Sequence, residues 1–170
     1  MILGVMSDTH GRIALMHRVA EQMVAKHGVE CILHLGDDYA DAEILRVSGY
    51  DVRAVPGLWC PEYNERRVPR TLVVDVGGVS IACAHSHEDW GPRERSADIL
   101  LCGHTHRAAI NRVGPKLYLN PGHLRGPLDR GQRASYAVIE ITPETIAVTI
   151  HELDGAVRTA CTARRREAAS

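Results

Sequence analysis

The stretch Ile2-Leu3-Gly4-Val5-Met6-Ser7-Asp8-Thr9-His10-Gly11 decides how the rest of the chain is read. An apolar run long enough for a buried strand passes directly into a polar loop holding an Asp and a His two residues apart. In extended backbone residues i and i+2 point to the same side, so Asp8 and His10 are expected to converge on one ion. A carboxylate beside an imidazole suits Mn, Fe, Zn or a related divalent ion rather than a thiolate-seeking one. Taken alone, the pair also reads as a polar loop with a helix cap. Four later strand ends that present the same ligand types shift the reading to metal.

Working outward, residues 13–27 have helical periodicity, with Leu15, Val19 and Met23 flanked by Met16, Ala20 and Val24. Thr9 or Asp8 is the expected N-cap and Gly28 the expected stop. A second apolar strand, 31–35, runs into Gly36-Asp37-Asp38. Strand, helix, strand at this spacing is a βαβ unit with parallel strands and a right-handed crossover. Asp37 should therefore arrive beside Asp8 and His10, at the edge where open α/β sheets carry their sites. His34 reads as a hydrogen-bonded strand residue, and His17 and His27 as helix-surface residues.

The pattern then predicts a short helix over 41–48 and a third strand over 52–55, closed by Pro56-Gly57. A loop covers 58–70. Strands 71–76 and 79–84, joined through Gly77-Gly78, carry a two-residue hairpin signal that makes the second half antiparallel in part. That hairpin ends in His85-Ser86-His87. Strand 97–102 ends in Gly103-His104-Thr105-His106, where alternation again puts two imidazoles on one side. Strands 108–113 and 116–119 lead to Asn120-Pro121-Gly122-His123, and a hairpin of 134–141 with 145–152 turns at Pro143-Glu144. Residues 1–153 make one domain. Residues 154–170, with Arg164-Arg165-Arg166, read as a polar, basic tail or a short terminal helix.

Composition narrows the class. A chain of 170 residues, 45% apolar and 24% charged, matches a single globular domain with a sizeable core. A net charge of −1 gives no general attraction to nucleic acid or anionic membrane, and neither is an expected partner. No apolar run has the length of a membrane span, and no charged segment precedes an apolar one at the N-terminus. The five cysteines are odd in number and three lie in strand-like runs, so they read as buried thiols in a reducing cytoplasm. Phe is absent, which leaves the core to Val, Ile, Leu and Ala. The ten histidines are the more telling excess, because they cluster at strand ends.

The order Asp-x-His, Gly-Asp, His, Gly-His-Thr-His resembles the calcineurin-like metallophosphoesterases. The compact length and the Asn120-Pro121-Gly122 turn resemble their small prokaryotic phosphodiesterase branch. The resemblance implies a four-layer α/β sandwich, two facing mixed sheets flanked by helices, over residues 1 to about 152. It implies two divalent ions, Mn²⁺ foremost, with Fe, Co, Ni or Zn acceptable to the same donors. By the same carry-over, Asp8, His10 and His106 would hold one ion, His85 and His104 the other, with Asp37 bridging. The implied reaction is hydrolysis of a phosphodiester or small phosphomonoester by a metal-bridging hydroxide.

Two departures stand out. Where the family writes Gly-Asn, often followed by His, this chain has Gly57-Leu58-Trp59, so one expected ligand is missing. Cys60, Glu62, Asn64 or a water would have to substitute. Otherwise the second ion is loosely held, or the chain is a catalytically impaired metal-binding or interaction module, as a retromer subunit of this fold is understood to be. His123 stands where the family has Ser after Asn-Pro-Gly, either as a replacement general acid or ligand or as a turn residue. His87, two residues from His85, is a second candidate for substrate contact. Substrate identity and homo-oligomer formation are left open by these residues.

Overall fold

A computed structural model describes residues 1–65 and 67–165. Two mixed sheets pack face to face. The first has six strands in the order β13-β12-β11-β1-β2-β3, the second five in the order β4-β5-β6-β8-β7. The strands are β1 Ile2–Met6, β2 Cys31–His34, β3 Val52–Ala54, β4 Thr71–Val76, β5 Val79–Ala84, β6 Ile99–Cys102, β7 Ala109–Val113 and β8 Lys116–Asn120. The remainder are β9 Leu128–Asp129, β10 Gln132–Arg133, β11 Ser135–Ile141, β12 Thr145–Glu152 and β13 Val157–Arg164. Helices α1 Ile13–His27 and α2 Tyr39–Val47 cover the outer face of the first sheet. The short α3, Pro92–Arg95, lies against β5 and β4 of the second.

Alternation along the strands builds the layers. In β1, Leu3 and Val5 point between the sheets, while Met6 points outward to α1, where Met16, Val19 and Met23 meet it. On β5 the inward Ile81 and Cys83 join the inter-sheet core, and the outward Ala82 and Ala84 pack under Trp90. These facing layers confirm the expected sandwich.

Each sheet has a run of three parallel strands: β1, β2 and β3 out to one edge of the first, β5, β6 and β8 at the centre of the second. Parallel strands end on the same edge, so two sets of carboxyl-terminal loops open on one side of the sandwich. That edge carries all the candidate ligands.

At the level of the elements, three departures from the sequence expectation bear on the fold. Residues 157–164 form β13, which pairs antiparallel with β12 as the edge of the first sheet, instead of a frayed tail or helix. Its buried residue is Ala163, and Cys161 packs partly against the inter-sheet core, so few apolar positions announce it. Arg166 lies outside the described residues. Next, α1 has Arg12 at its N-cap with no side-chain cap, because Asp8 and Thr9 are used elsewhere. Last, a two-residue hairpin, β9 with β10, interrupts the loop before β11.

Leu101 is fully buried between the sheets. Leu101→Ala should lower the unfolding free energy by about 3 kcal/mol, through lost transfer energy and a cavity that both sheets resist closing. Urea denaturation of the two proteins checks this.

Candidate metal centre

Asp8 lies just past β1, where the chain leaves the sheet. Its N–H donates to the carbonyl of Gly36 at 2.6 Å, tying the ends of β1 and β2 together. Its Oδ2 accepts from the Ser7 hydroxyl at 2.5 Å and from the main-chain N–H of His104 at 3.1 Å. Its Oδ1 is buried with no hydrogen-bond partner and lies 3.2 Å from His106 Nε2.

The other donors gather around that oxygen. Asp8, His10, Asp37 and His106 each offer a ligand atom within 4.8 Å of all the others. His10 Nε2 lies 3.0 Å from Asp37 Oδ2 and 3.4 Å from His106 Nε2. Asp37 arrives on the loop after β2 and is held down by Gly57, where a Cβ would fall 2.6 Å from both its Cα and its Oδ1. His85, at the end of β5, donates from Nδ1 to the carbonyl of Leu35 at 2.8 Å. Its Nε2 therefore bears a lone pair, which is buried, unpartnered and 3.7 Å from Asp37 Oδ1. His104 is exposed, with its ring centroid 5.1 Å from that of His85.

All six candidate ligands thus come to one edge, but the local geometry differs from the expected alternation. Asp8, His10, His104 and His106 all have positive φ, of 55°, 48°, 65° and 61°. For non-glycine residues this left-handed backbone costs on the order of 1 kcal/mol each, and it is held by its surroundings. Asp8 and His10 converge through a tight turn, not through extended backbone. His104 and His106 likewise do not share a side: His106 joins Asp8 and His10, and His104 faces His85.

Supporting residues fix these turns. Asn120 donates from Nδ2 to the Gly103 carbonyl at 2.8 Å and to Thr105 Oγ1 at 3.0 Å, clamping the loop after β6. A Cβ on Gly103 would lie 1.8 Å from Ser7 Oγ, so only glycine lets the two sheets' loops meet. The buried Asp41 accepts from the N–H of Gly11 at 3.0 Å. Asp129 accepts from His106 Nδ1 at 2.6 Å. None of Asn120, Asp41 or Asp129 is evident as a site residue in the sequence, because each acts from a different element on a neighbour's backbone or ring.

The remaining predicted residues fall outside the cluster. His123 is fully buried, donates from Nε2 to the carbonyl of Gln132 at 3.0 Å, and lays its ring 5.3 Å from that of His106. His87 opens a 3₁₀ turn and is exposed beside Trp90, lining a cleft of about 330 Å³ with Cys102, Tyr118 and Asn120. Among the described residues it makes no hydrogen bond or ion pair to the cluster. The Cys60 thiol donates to the main-chain carbonyl of Asp37, and Asn64 accepts from Arg70. Trp59 is 87% exposed.

Electrostatics follow the geometry. Burial pushes the Asp8 carboxyl upward, but the imidazoles of His106 and His85 beside it and the Ser7 hydroxyl outweigh it and leave the group below its usual range. The neighbouring carboxylates of Asp8 and Asp129 raise His106 against the effect of burial. Burial lowers His123. His34, wholly buried under the site loop, donates from Nε2 to Thr9 Oγ1 and accepts from the Gly36 N–H at Nδ1, and burial drops it to about 4.

A model for the calcineurin-like phosphoesterase superfamily domain matches residues 1–144. The chain belongs to that superfamily. A phosphodiesterase of Methanocaldococcus jannaschii is 24% identical over 145 residues, which is 75% of this chain and 87% of that protein. The structure of a conserved uncharacterized protein from Streptococcus pneumoniae, a predicted phosphoesterase, is 26% identical and superposes with a TM-score of 0.70 over 96% of this chain and 97% of its own. Vps29 from Entamoeba histolytica, complexed with zinc, shares the fold at 23% identity and a TM-score of 0.67, over 96% of this chain and 99% of that one.

The buried, neutral His34 gives a pH dependence with a definite sign. Its folded pKa of about 4 lies below the unfolded 6.5, so between these values the unfolded chain binds more protons. Stability should be complete above pH 6.5 and fall by about 3 kcal/mol as pH drops to 4, with no further loss from this group below that. Urea titrations of the metal-free protein at successive pH values test this. His34→Gln should flatten the slope in that window.

Proposed function

We propose that this chain is a divalent-metal-dependent phosphoesterase acting on a phosphodiester or small phosphomonoester. The observation that carries the reading is the set of buried lone pairs with no partner: Asp8 Oδ1, Asp37 Oδ1 and His85 Nε2. Protein interiors rarely leave such groups unpaired, and three beside one cluster of carboxylates and imidazoles fit cations. His10 Nε2 facing His106 Nε2 at 3.4 Å adds to this, since the Nδ1–H of His106 is given to Asp129.

Asp8, His10 and His106 would hold one ion, His85 and His104 a second, and Asp37 would lie between them. Divalent ions, Mn²⁺ foremost, supply an acidified water and polarise a phosphoryl oxygen when bound. The protein's own part is to hold the Asp8 carboxylate ionised, the donor side chains in place and the backbone turns closed. The exposed edge of His104 leaves the cluster open to a substrate from one side. An open cleft of about 830 Å³, lined by Gly11, Arg12, Leu15, Arg18, Pro127 and Leu153, starts at the residue after His10 and has room for the alcohol part of an ester. In this reading His123 serves as a packing partner of His106, and His87 lines the neighbouring cleft with Cys102 and Asn120.

A second reading has its own observation. Leu58 stands where the family has a ligand, and the adjoining Trp59 is 87% exposed, as a docking residue would be. A metal-binding or interaction module with no turnover would use the site in this way.

The test is to load the purified chain with excess Mn²⁺, count retained ions and assay bis(p-nitrophenyl) phosphate. Hydrolysis that requires Mn²⁺ and is abolished by Asp37→Ala is expected. Activity unchanged in that variant would sink the enzyme reading, and Mn²⁺ retention without turnover would favour the module. Leu58→Asn should raise the number of ions retained after desalting, since it restores an amide oxygen at the position that lacks one.

A further inference from the structure

We propose that Asp129 is a positioning residue for His106: the β9–β10 hairpin exists to lock this imidazole with its free nitrogen turned into the cluster. The inference rests on the metal-dependent reading above. The Asp129 Oδ2 to His106 Nδ1 distance is 2.6 Å, and both side chains are largely buried, 17% and 5% exposed. With its Nδ1–H donated, a neutral His106 has its lone pair on Nε2. That atom lies 3.2 Å from Asp8 Oδ1 and 3.4 Å from His10 Nε2. A ring rotated by half a turn would present carbon to the cluster, and the carboxylate sets which way the ring stands.

The hairpin grips the site from both of its strands. Asp129 on β9 holds His106, while the carbonyl of Gln132 on β10 accepts from His123, whose ring packs on that of His106. The turn Arg130-Gly131 has φ of 47° and 76°, the two left-handed residues that a tight two-residue hairpin needs. Arg125 Nη1 at 3.6 Å and Arg130 Nε at 3.8 Å flank the Asp129 carboxylate. Arg12 Nε donates to the carbonyl of Arg125 at 2.9 Å, which ties the approach to the hairpin to the loop after His10. A carboxylate that orients a ligand imidazole raises its basicity, and losing one weakens metal binding by about 10–100-fold.

The experiment uses the full chain and reads Mn²⁺ affinity from the spectroscopic signal of free Mn²⁺, independently of turnover. Asp129→Ala should weaken Mn²⁺ binding by about 10–100-fold. Asp129→Asn, whose amide oxygen still accepts from His106, should fall between wild type and Asp129→Ala. In a His106→Ala background the same Asp129→Ala change should move affinity less than about twofold, because the residue acts through the missing ring. Unchanged affinity in Asp129→Ala, with wild type binding Mn²⁺ and hydrolysing ester, would overturn the positioning role alone. A full loss that recurs in the His106→Ala background would overturn it too, by showing that the hairpin matters only structurally. A wild-type chain that binds no Mn²⁺ would overturn both this role and the enzyme reading.

Discussion

The Asp8 carboxylate is the pivot of this molecule. One oxygen takes the Ser7 hydroxyl and the main-chain N–H of His104, so a residue at the end of the first sheet is bonded to a loop at the end of the second. The other oxygen is left buried and unpaired. A carboxylate used in this way fixes the register of two layers and at the same time turns a lone pair into the space between them. Gly103 is required at the meeting point because any side chain would collide with Ser7. The expected distance between the two sheets, about 10 Å, closes here to hydrogen-bond contact.

Backbone strain is the cost of this convergence. Four of the six candidate ligands are in left-handed conformation, and no single local preference would choose it for Asp or His four times over. The surrounding clamps make up the difference: Asn120 of β8 bonded to the loop after β6, Asp41 of α2 bonded to the loop after β1, Gly57 against Asp37. Most of these clamps reach across from another element. The site is therefore an outcome of the assembled sandwich, and a fragment holding one sheet would not reproduce it.

This division explains what was legible in the sequence. Apolar runs and glycine punctuation mark the strands and the first helix, and α1 spans residues 13–27 as its periodicity predicts. Ligand types at strand ends are visible because a chain must place them there in order. The way they converge is not visible, since positive φ at Asp8 or His106 leaves no trace in residue type. The β9–β10 hairpin escapes notice for a related reason: its turn is Arg130-Gly131, where the recognisable hairpin signals have Asn, Asp or Gly first. Strand β13 escapes because an edge strand needs few buried residues, and its small Ala and Cys are interspersed with Arg and Thr. Asp129 is hidden by its exposed, arginine-rich neighbourhood, which in sequence looks like an ordinary polar loop.

The division of donors between the layers has a consequence for the fold itself. Asp8, His10 and Asp37 come from the loops of the first sheet, and His85, His104 and His106 from those of the second. An ion bound to both sets would act as a rivet through the open edge of the sandwich. By linkage, its occupancy would add to folding stability as the logarithm of its free concentration over its dissociation constant. Selection on the donors would then act on persistence of the folded chain as well as on turnover. A descendant that had lost its chemistry could still retain the histidines, as fasteners of two sheets.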